Sequence, residues 1–415
     1  MPGSVGGMSN TAGLTRAQMA SWRNALFVIF AICGAALASW AARIPAVSAS
    51  LDLSTGDVGL LLFGIAAGSI AGLVASSHLI ARFGARKVIL FALILGPIGL
   101  VVAAIGASVT QNFGLAFAGL AVFGATFGAC DVSMNVSGAA NERALGRNIM
   151  PIYHAFFSFG TICGAGLAAV AEHLQVPLEI HIGLVGIAMI ITVVFVVRLL
   201  QSEAVVDTAE DAGSAPVDTW RARLAIWRDP RTILIGLIVL GMAFTEGSAN
   251  DWLAYAMVEG HGTDKPTGAL VFGVFVTAMT IGRLGGVTLL DRFGRVPVLR
   301  VSAVFAAVGL LLLIFVPVVW IAVVGVVLWG LGAALGFPVG MSAAADDPRT
   351  AAARVSAVAT IGYVAFLVGP PVIGLLGEQF GILGALTLVL VLVALAGSLS
   401  GAAREPRGSR ASIGS

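Results

Sequence analysis

Charged side chains are scarce in this chain: Asp, Glu, Lys and Arg make up 11% of its 415 residues, against about a quarter in ordinary soluble domains. With 58% of residues hydrophobic and a mean hydropathy of +1.00, that scarcity excludes a soluble globular protein and implies an integral membrane protein. Cysteine is rare as well. Cys33, Cys130 and Cys163 sit inside apolar runs, so they offer neither a disulfide framework nor a metal-ligand spacing and read as small buried residues. A phosphate-cradling loop, a nucleophile triad and a metal-ligating cluster are all missing from the motifs. These absences argue against an enzyme, a cofactor or metal, and ATP-driven work within the chain. A net charge of +2 gives no footing for a nucleic-acid partner. Residues 1–21 lack the basic start, short apolar core and cleavage site of a signal peptide, so the first apolar run reads as a retained helix.

What is present is a series of apolar runs of about 20 residues, each long enough to span a bilayer as a helix. Twelve are expected, near 24–44, 57–80, 87–108, 113–139, 149–174, 177–199, 231–255, 267–290, 296–316, 318–342, 354–377 and 382–402. The expected fold is all-α, with twelve transmembrane helices in two pseudo-symmetric six-helix bundles, 23–199 and 231–402. Tails at 1–22 and 403–415 flank them. Between the bundles, the linker 200–230 carries Glu203, Asp207, Glu210 and Asp211. It runs into a stretch, 219–231, that places Trp220, Leu224 and Trp227 on one face and arginines on the other. Such a pattern suits a helix lying in the membrane interface.

The basic residues set the orientation. With both termini cytoplasmic, every Lys and Arg except Arg43, Lys265 and Arg283 falls in a cytoplasmic loop, a tail or at an inner helix end. The reverse orientation violates the positive-inside bias. Lys265 is then outside, with Arg43 and Arg283 near opposite membrane faces. This reading places the chain as a multi-pass monomer in the inner (plasma) membrane.

The halves also echo each other. ARFGARKVIL from Ala81 and DRFGRVPVLR from Asp291 occupy the same turn in each half. Six plus six helices and a repeated Arg-Phe-Gly turn resemble the major facilitator superfamily and its loop motif Gly-x-x-x-Asp-Arg-x-Gly-Arg-Arg. The first copy departs from it, with Ser77 and Ala81 at the leading glycine and acidic positions. The second keeps Asp291, Arg292, Gly294 and Arg295, with Val287 at the glycine position. The resemblance implies that Asp291, Arg292 and Arg295 help hold the halves together on the inner side.

Two acid/amide pairs stand out inside the spans. Asp131 and Asn135 lie in span 4, Glu246 and Asn250 in span 7, each four apart and so on one helix face. Intramembrane carboxylates are costly and mark solute or proton pathways, although a structural polar pair between helices explains one of them equally simply. One pair in each half points to a central site at the interface between repeats. His154, early in span 5, is expected at the depth of Asp131, where an imidazole and a carboxylate exchange protons near neutral pH. A histidine hydrogen-bonded between helices is the rival. Arg43 and Asp251, near the outer ends of spans 1 and 7, are expected to pair across the halves as a gate. Snorkelling of Arg43 is the alternative. Trp40, Trp252 and Trp329 offer aromatic faces to a sugar-like ring or a cationic amine. Interfacial anchoring explains Trp40 and Trp252 as well, so Trp329 is the better ligand residue.

The stretches DVSMN, MPIYHAFFSFGTICGA and EGSANDW in spans 4, 5 and 7 resemble the MosC/YbjJ-like branch of the major facilitators. That branch includes proteins proposed to move an inositol-derived amine. Span 5 lacks the Gly-Pro motif of drug/proton antiporters. GLGAALG at 330–336 is helix packing and not a nucleotide loop, as are Gly160 and Gly164. GPPVIG at 369–374 is expected to bend span 11. The sum is a secondary active transporter moving a small polar organic solute (polyol, sugar or amino-sugar-like) by alternating access, proton-coupled with Glu246 and Asp131 as the candidate carboxylates for coupling and for solute. The alternatives are a proton-antiport exporter of amphiphilic or cationic compounds and a non-transporting sensor on the same fold.

Overall fold

The computed structural model describes residues 14–147, 149–201, 226–347 and 350–405. The linker acids and most of the interfacial stretch, Trp220 and Leu224 included, lie outside the described residues, as do most of the two tails. The chain begins with α1 (Arg16–Ala41), a short α2 (Ile44–Leu51), α3 (Thr55–Phe83), α4 (Ala85–Ser108), α5 (Phe113–Leu145), α6 (Met150–His173) and α7 (Leu178–Val196). It continues with α8 (Pro230–Tyr255), α9 (Lys265–Phe293), α10 (Arg295–Phe315), α11 (Val319–Ala333), α12 (Gly336–Ala344), α13 (Ala351–Ala385) and α14 (Thr387–Leu399). Eleven helical stretches are long and apolar enough to cross a membrane, and Thr387–Ala403 is a shorter apolar one. The twelve-helix, all-α membrane fold expected from the sequence is present.

Turn chemistry explains where the helices start and stop. Thr15 and Gln18 cap α1 reciprocally, as Ser54 and Asp57 cap α3, while Asp229 and Asp264 cap α8 and α9. Each cap satisfies an N–H that the first turn leaves without a partner. The two Arg-Phe-Gly turns have the same shape. Gly84 and Gly294 both adopt φ of 79°, a conformation only glycine takes without strain. Arg82 and Arg292 lie over the rings of Phe83 and Phe293, at 5.5 and 5.3 Å from the centroids. Both termini of the described chain lie on the face carrying these turns, here the terminal face.

One break departs from the expected spans, and a second falls in the connection expected between spans 11 and 12. Span 10 divides at Ala334 and Leu335, between α11 and α12. Within α13 the non-helical residue is Gly381 (φ 72°, ψ 158°), whereas Pro370 and Pro371 keep helical backbone.

Small residues let the helices approach, which is how packing is gained where lipid is as apolar as the protein. Gly160 and Gly164 of α6 press on the backbone carbonyls of Ala31 and Ala35 of α1. Gly330 and Gly332 sit against Phe275, Ser302 and Ala306. The bundles meet most closely away from the terminal face. A Cβ on Gly59 of α3 would lie 3.0 Å from the Gly374 Cα of α13, and Thr55 Oγ1 is 3.3 Å from Tyr255 Oη. At the terminal face Phe83, Asp291, Arg292 and Phe293 are exposed.

Candidate functional site

The two carboxylates lie at matching depth. Asp131 precedes the terminal-face end of α5 by fourteen residues and Glu246 follows the start of α8 by sixteen, which places them about 21 and 24 Å along their helices. On α5, Asn135 Nδ2 donates to the Asp131 backbone carbonyl at 2.8 Å and to its Oδ1 at 3.3 Å. Tyr363 of α13, in the other bundle, is within electrostatic range of Asp131.

On α8 the geometry differs. Glu246 Oε1 takes an ion pair from Arg283 Nη2 of α9 at 2.7 Å, and Asn250 makes no hydrogen bond among the described residues. Arg283 Nε donates at 3.4 Å to the carbonyl of Ala334, at the break between α11 and α12. Arg283 lies ten residues from the terminal-face end of α9. Side chains tilt toward their helix N-terminus, and on α9 that direction carries the guanidinium inward to the level of Glu246. Sequence reasoning placed Arg283 near a membrane face because it counted the Cα position and not this tilt.

His154 does not meet Asp131. The expectation assumed that span 4 ended near Asn141, but α5 continues to Leu145 and α6 begins at Met150. The two residues are therefore offset by roughly 15 Å along the helices. His154 instead lies edge-on to Phe30, centroids 5.4 Å apart, and within electrostatic range of Arg283 from the opposite bundle.

The expected gate between Arg43 and Asp251 is overturned. Arg43 sits in the joint between α1 and α2 and faces the C-terminal end of α6. There its Nε approaches Glu172 Oε1 to 2.8 Å without hydrogen-bond alignment, and its Nη2 donates to the Val176 carbonyl at 3.0 Å. A cation at a helix C-terminus is also favoured by the helix dipole. Asp251 makes no ion pair or hydrogen bond among the described residues. Glu172 sits beside His173 at the end of its span, and nothing in the sequence marked it as a partner.

The inner-side contact expected of Asp291 is also absent: Asp291 and Arg292 are exposed, and Asp291 pairs with no described cation. On this face the acid that takes cations is Asp346, which holds Arg231 and Arg295 at 2.7 Å each, within the second bundle and not between the halves. Arg295 also donates to Ser342 Oγ at 3.0 Å, and its backbone N–H to Glu405 at 2.9 Å.

Trp329 is fully buried against Phe275, ring centroids 5.4 Å apart, so it is packed core and not an open wall. Trp40 and Trp252 are buried too, which removes interfacial anchoring. All three indole N–H groups are without partners among the described residues. Cys33 and Cys130 are buried, with Sγ atoms 3.9 Å apart, whereas Cys163 is exposed, against expectation.

Comparison with known proteins matches this architecture. A family model described as Major Facilitator Superfamily matches residues 244–413. An uncharacterized MFS-type transporter of Yersinia pestis is 30% identical over 369 residues, covering 88% of this chain and 92% of that protein. The membrane protein MosC of Rhizobium meliloti is 27% identical over 366 residues, covering 88% and 85%. Among solved structures, a bacterial homologue of the human lysosomal transporter Spinster, inward-facing and unoccupied, superposes with a TM-score of 0.73. Identity there is 14%, with 95% of this chain and 100% of that one covered, so the likeness is one of fold.

Proposed function

The chain belongs to the major facilitator superfamily of transporters, and from that premise we propose that it is a proton-coupled secondary active transporter of a small polar organic solute. The observation that carries this reading is the pairing of Glu246 with Arg283 at 2.7 Å, with both side chains partly exposed, at the depth of Asp131 in the other bundle. An intramembrane ion pair left open in this way is arranged for exchange, because its groups keep access to proton and solute without being sealed away from water. The two bundles, each with its own polar site, rock about this centre. Their close contact away from the terminal face and the exposed side chains at it fit one stage of alternating access. The polar lining favours a polyol, sugar or amino-sugar-like solute, and the terminal face is assigned to the cytoplasm of the inner membrane.

The test is uptake into proteoliposomes under an imposed pH gradient, after thermal-shift screening of the purified protein for stabilising solutes. Glu246→Gln and Asp131→Asn are expected to lose pH-driven accumulation of a hit. Full pH-dependent uptake by both variants would remove the coupling assignment. A second reading, proton-antiport export of cationic compounds, is favoured by Asp251, a carboxylate with no cation beside it. It predicts that the pH gradient drives solute in the direction opposite to the protons.

A further inference from the structure

Among the described residues two ion pairs lie away from the terminal face, and they are built differently. Arg43 and Glu172 have side-chain exposures of 4% and 11%, while Arg283 and Glu246 have 32% and 18%. Arg283 uses Nη2 on Glu246 and Nε on the Ala334 carbonyl, and its Nη1 edge bonds nothing among the described residues. That carbonyl belongs to the break in span 10, where backbone leaves regular helix inside the membrane. Such irregular backbone is tolerated where it lines a site. The other bundle brings His154 within range of the same guanidinium.

Charge conservation then restricts what such a pair accepts. A neutral solute bound with a proton leaves the site with one added positive charge. An amine competing for Glu246 displaces Arg283 and leaves two cations beside one carboxylate. A proton arriving on Glu246 together with a carboxylate arriving on Arg283 leaves every charge compensated. The guanidinium fork also suits a carboxylate, with which it forms two parallel hydrogen bonds.

We propose that Arg283 is the solute-reading residue and that the solute carries a carboxylate, bound when Glu246 takes up a proton. This rests on the proton-coupled transporter reading and replaces its polyol, sugar or amino-sugar-like solute by a sugar acid. The step is balanced: Glu246 gains one proton, the Arg283–Glu246 pair opens, and the solute carboxylate replaces Glu246 on the guanidinium with no net charge added. Asp131, bonded only to the amide of Asn135, keeps acceptor capacity for a hydroxyl or N–H of the same solute. A hydroxylated carboxylic acid of the sugar-acid type satisfies both ends. His154 of α6 is within electrostatic range of Arg283, Tyr363 of α13 is within range of Asp131 on α5, and Asp251 follows Glu246 by five residues on α8.

The experiment is binding to the purified full chain, by calorimetry in buffers of differing ionisation enthalpy. The probes are hydroxy acids of three to six carbons, each beside its neutral and its amine counterpart, such as gluconate, sorbitol and glucosamine. The expected result is at least tenfold tighter binding of one or more acids than of their counterparts, with about one proton taken up per acid bound. Glu246→Gln is expected to bind the acid without proton uptake, and Arg283→Gln to lose the acid preference. Arg283→Lys should recover part of it, which a merely structural role would not produce. If a neutral or amine probe binds the wild type as tightly as its acid and Arg283→Gln leaves that ratio unchanged, the carboxylate assignment falls while the transporter reading stands. If no probe of the three classes binds the monodisperse wild type, the carboxylate assignment falls together with the solute class.

Discussion

On α5, Asn135 turns its amide onto Asp131, while on α8 the same four-residue spacing leaves Asn250 unbonded because Glu246 goes to Arg283. An amide is what an intramembrane carboxylate accepts when no cation is in reach. A guanidinium displaces it because it adds a full opposite charge and a fixed fork of donors to what the amide offers. The repeated pattern therefore marks two positions at one depth without giving them one chemistry. The first bundle has a carboxylate held within its own helix, the second a carboxylate held between helices. In the second, a change of partner also changes what joins α8 to α9.

The largest effect that sharpens this contrast concerns the ion pairs. Glu172→Gln leaves Arg43 buried and uncompensated, and the expected loss of stability is about 3–5 kcal/mol. Glu246→Gln opens a pair already in contact with accessible space, and its expected cost is below about 1 kcal/mol. Thermal unfolding of the two variants in the same detergent measures the difference, and uptake is expected to rank them in reverse, with Glu246→Gln the more damaging to pH-driven transport among protein that remains folded. Equal losses of stability would erase the distinction between a sealed pair and an open one.

A smaller effect separates the amides. Asn135→Ala removes the hydrogen bonds to Asp131 and is expected to cost about 1 kcal/mol. Asn250→Ala removes no hydrogen bond and is expected to leave the unfolding temperature unchanged. Should Asn250→Ala destabilise as much as Asn135→Ala, the amides would be equivalent after all and the contrast between the bundles would rest on Arg283 alone.

These contrasts also show what was legible beforehand. A membrane span announces itself by length and apolarity, which are local properties, so the helices and the paired turns at Gly84 and Gly294 could be read residue by residue. The depth of Glu246 followed from a fixed rise per residue, whereas that of Asp131 depended on where α5 ends. Partner choice did not. Arg43 meets Glu172, not Asp251, because the joint after α1 aims it at α6, and no spacing rule encodes that aim. His154 was misplaced because an error of four residues in the end of α5 moves a side chain by about 6 Å. Trp329 looked like a wall of the cavity because its helix was assigned there; which face of a uniformly apolar helix packs inward is decided by neighbours such as Phe275. The break at Ala334 and Leu335 is signalled by Pro338, which has no N–H for the Ala334 carbonyl four residues back, a cue masked by the uniform apolarity of span 10.

The smallest effect tests the same asymmetry at the terminal face, where the first helix of each bundle begins. Thr15 caps α1 with a hydroxyl that does not titrate, whereas Asp229 caps α8 with a carboxylate. Asp229 Oδ2 accepts from the Thr232 hydroxyl at 2.7 Å and the Thr232 N–H at 3.1 Å, and lies 3.2 Å from Arg354 Nη2. These contacts, the Thr232 hydroxyl foremost, hold the Asp229 carboxyl below its ordinary range. A carboxyl lowered by folding stabilises fully above its unfolded value, near pH 4, and loses that contribution as pH falls through its folded value. Acid should therefore weaken the start of α8 and leave the start of α1 intact. Asp229→Asn retains an acceptor for the N–H but does not titrate, so the component of stability lost below about pH 4 is expected to shrink in this variant. The difference is bounded by the worth of an N-cap, about 1 kcal/mol. Identical stability profiles for Asp229→Asn and wild type below that pH would show that the cap carries no titrating share of stability, and that the two bundles start alike in acid.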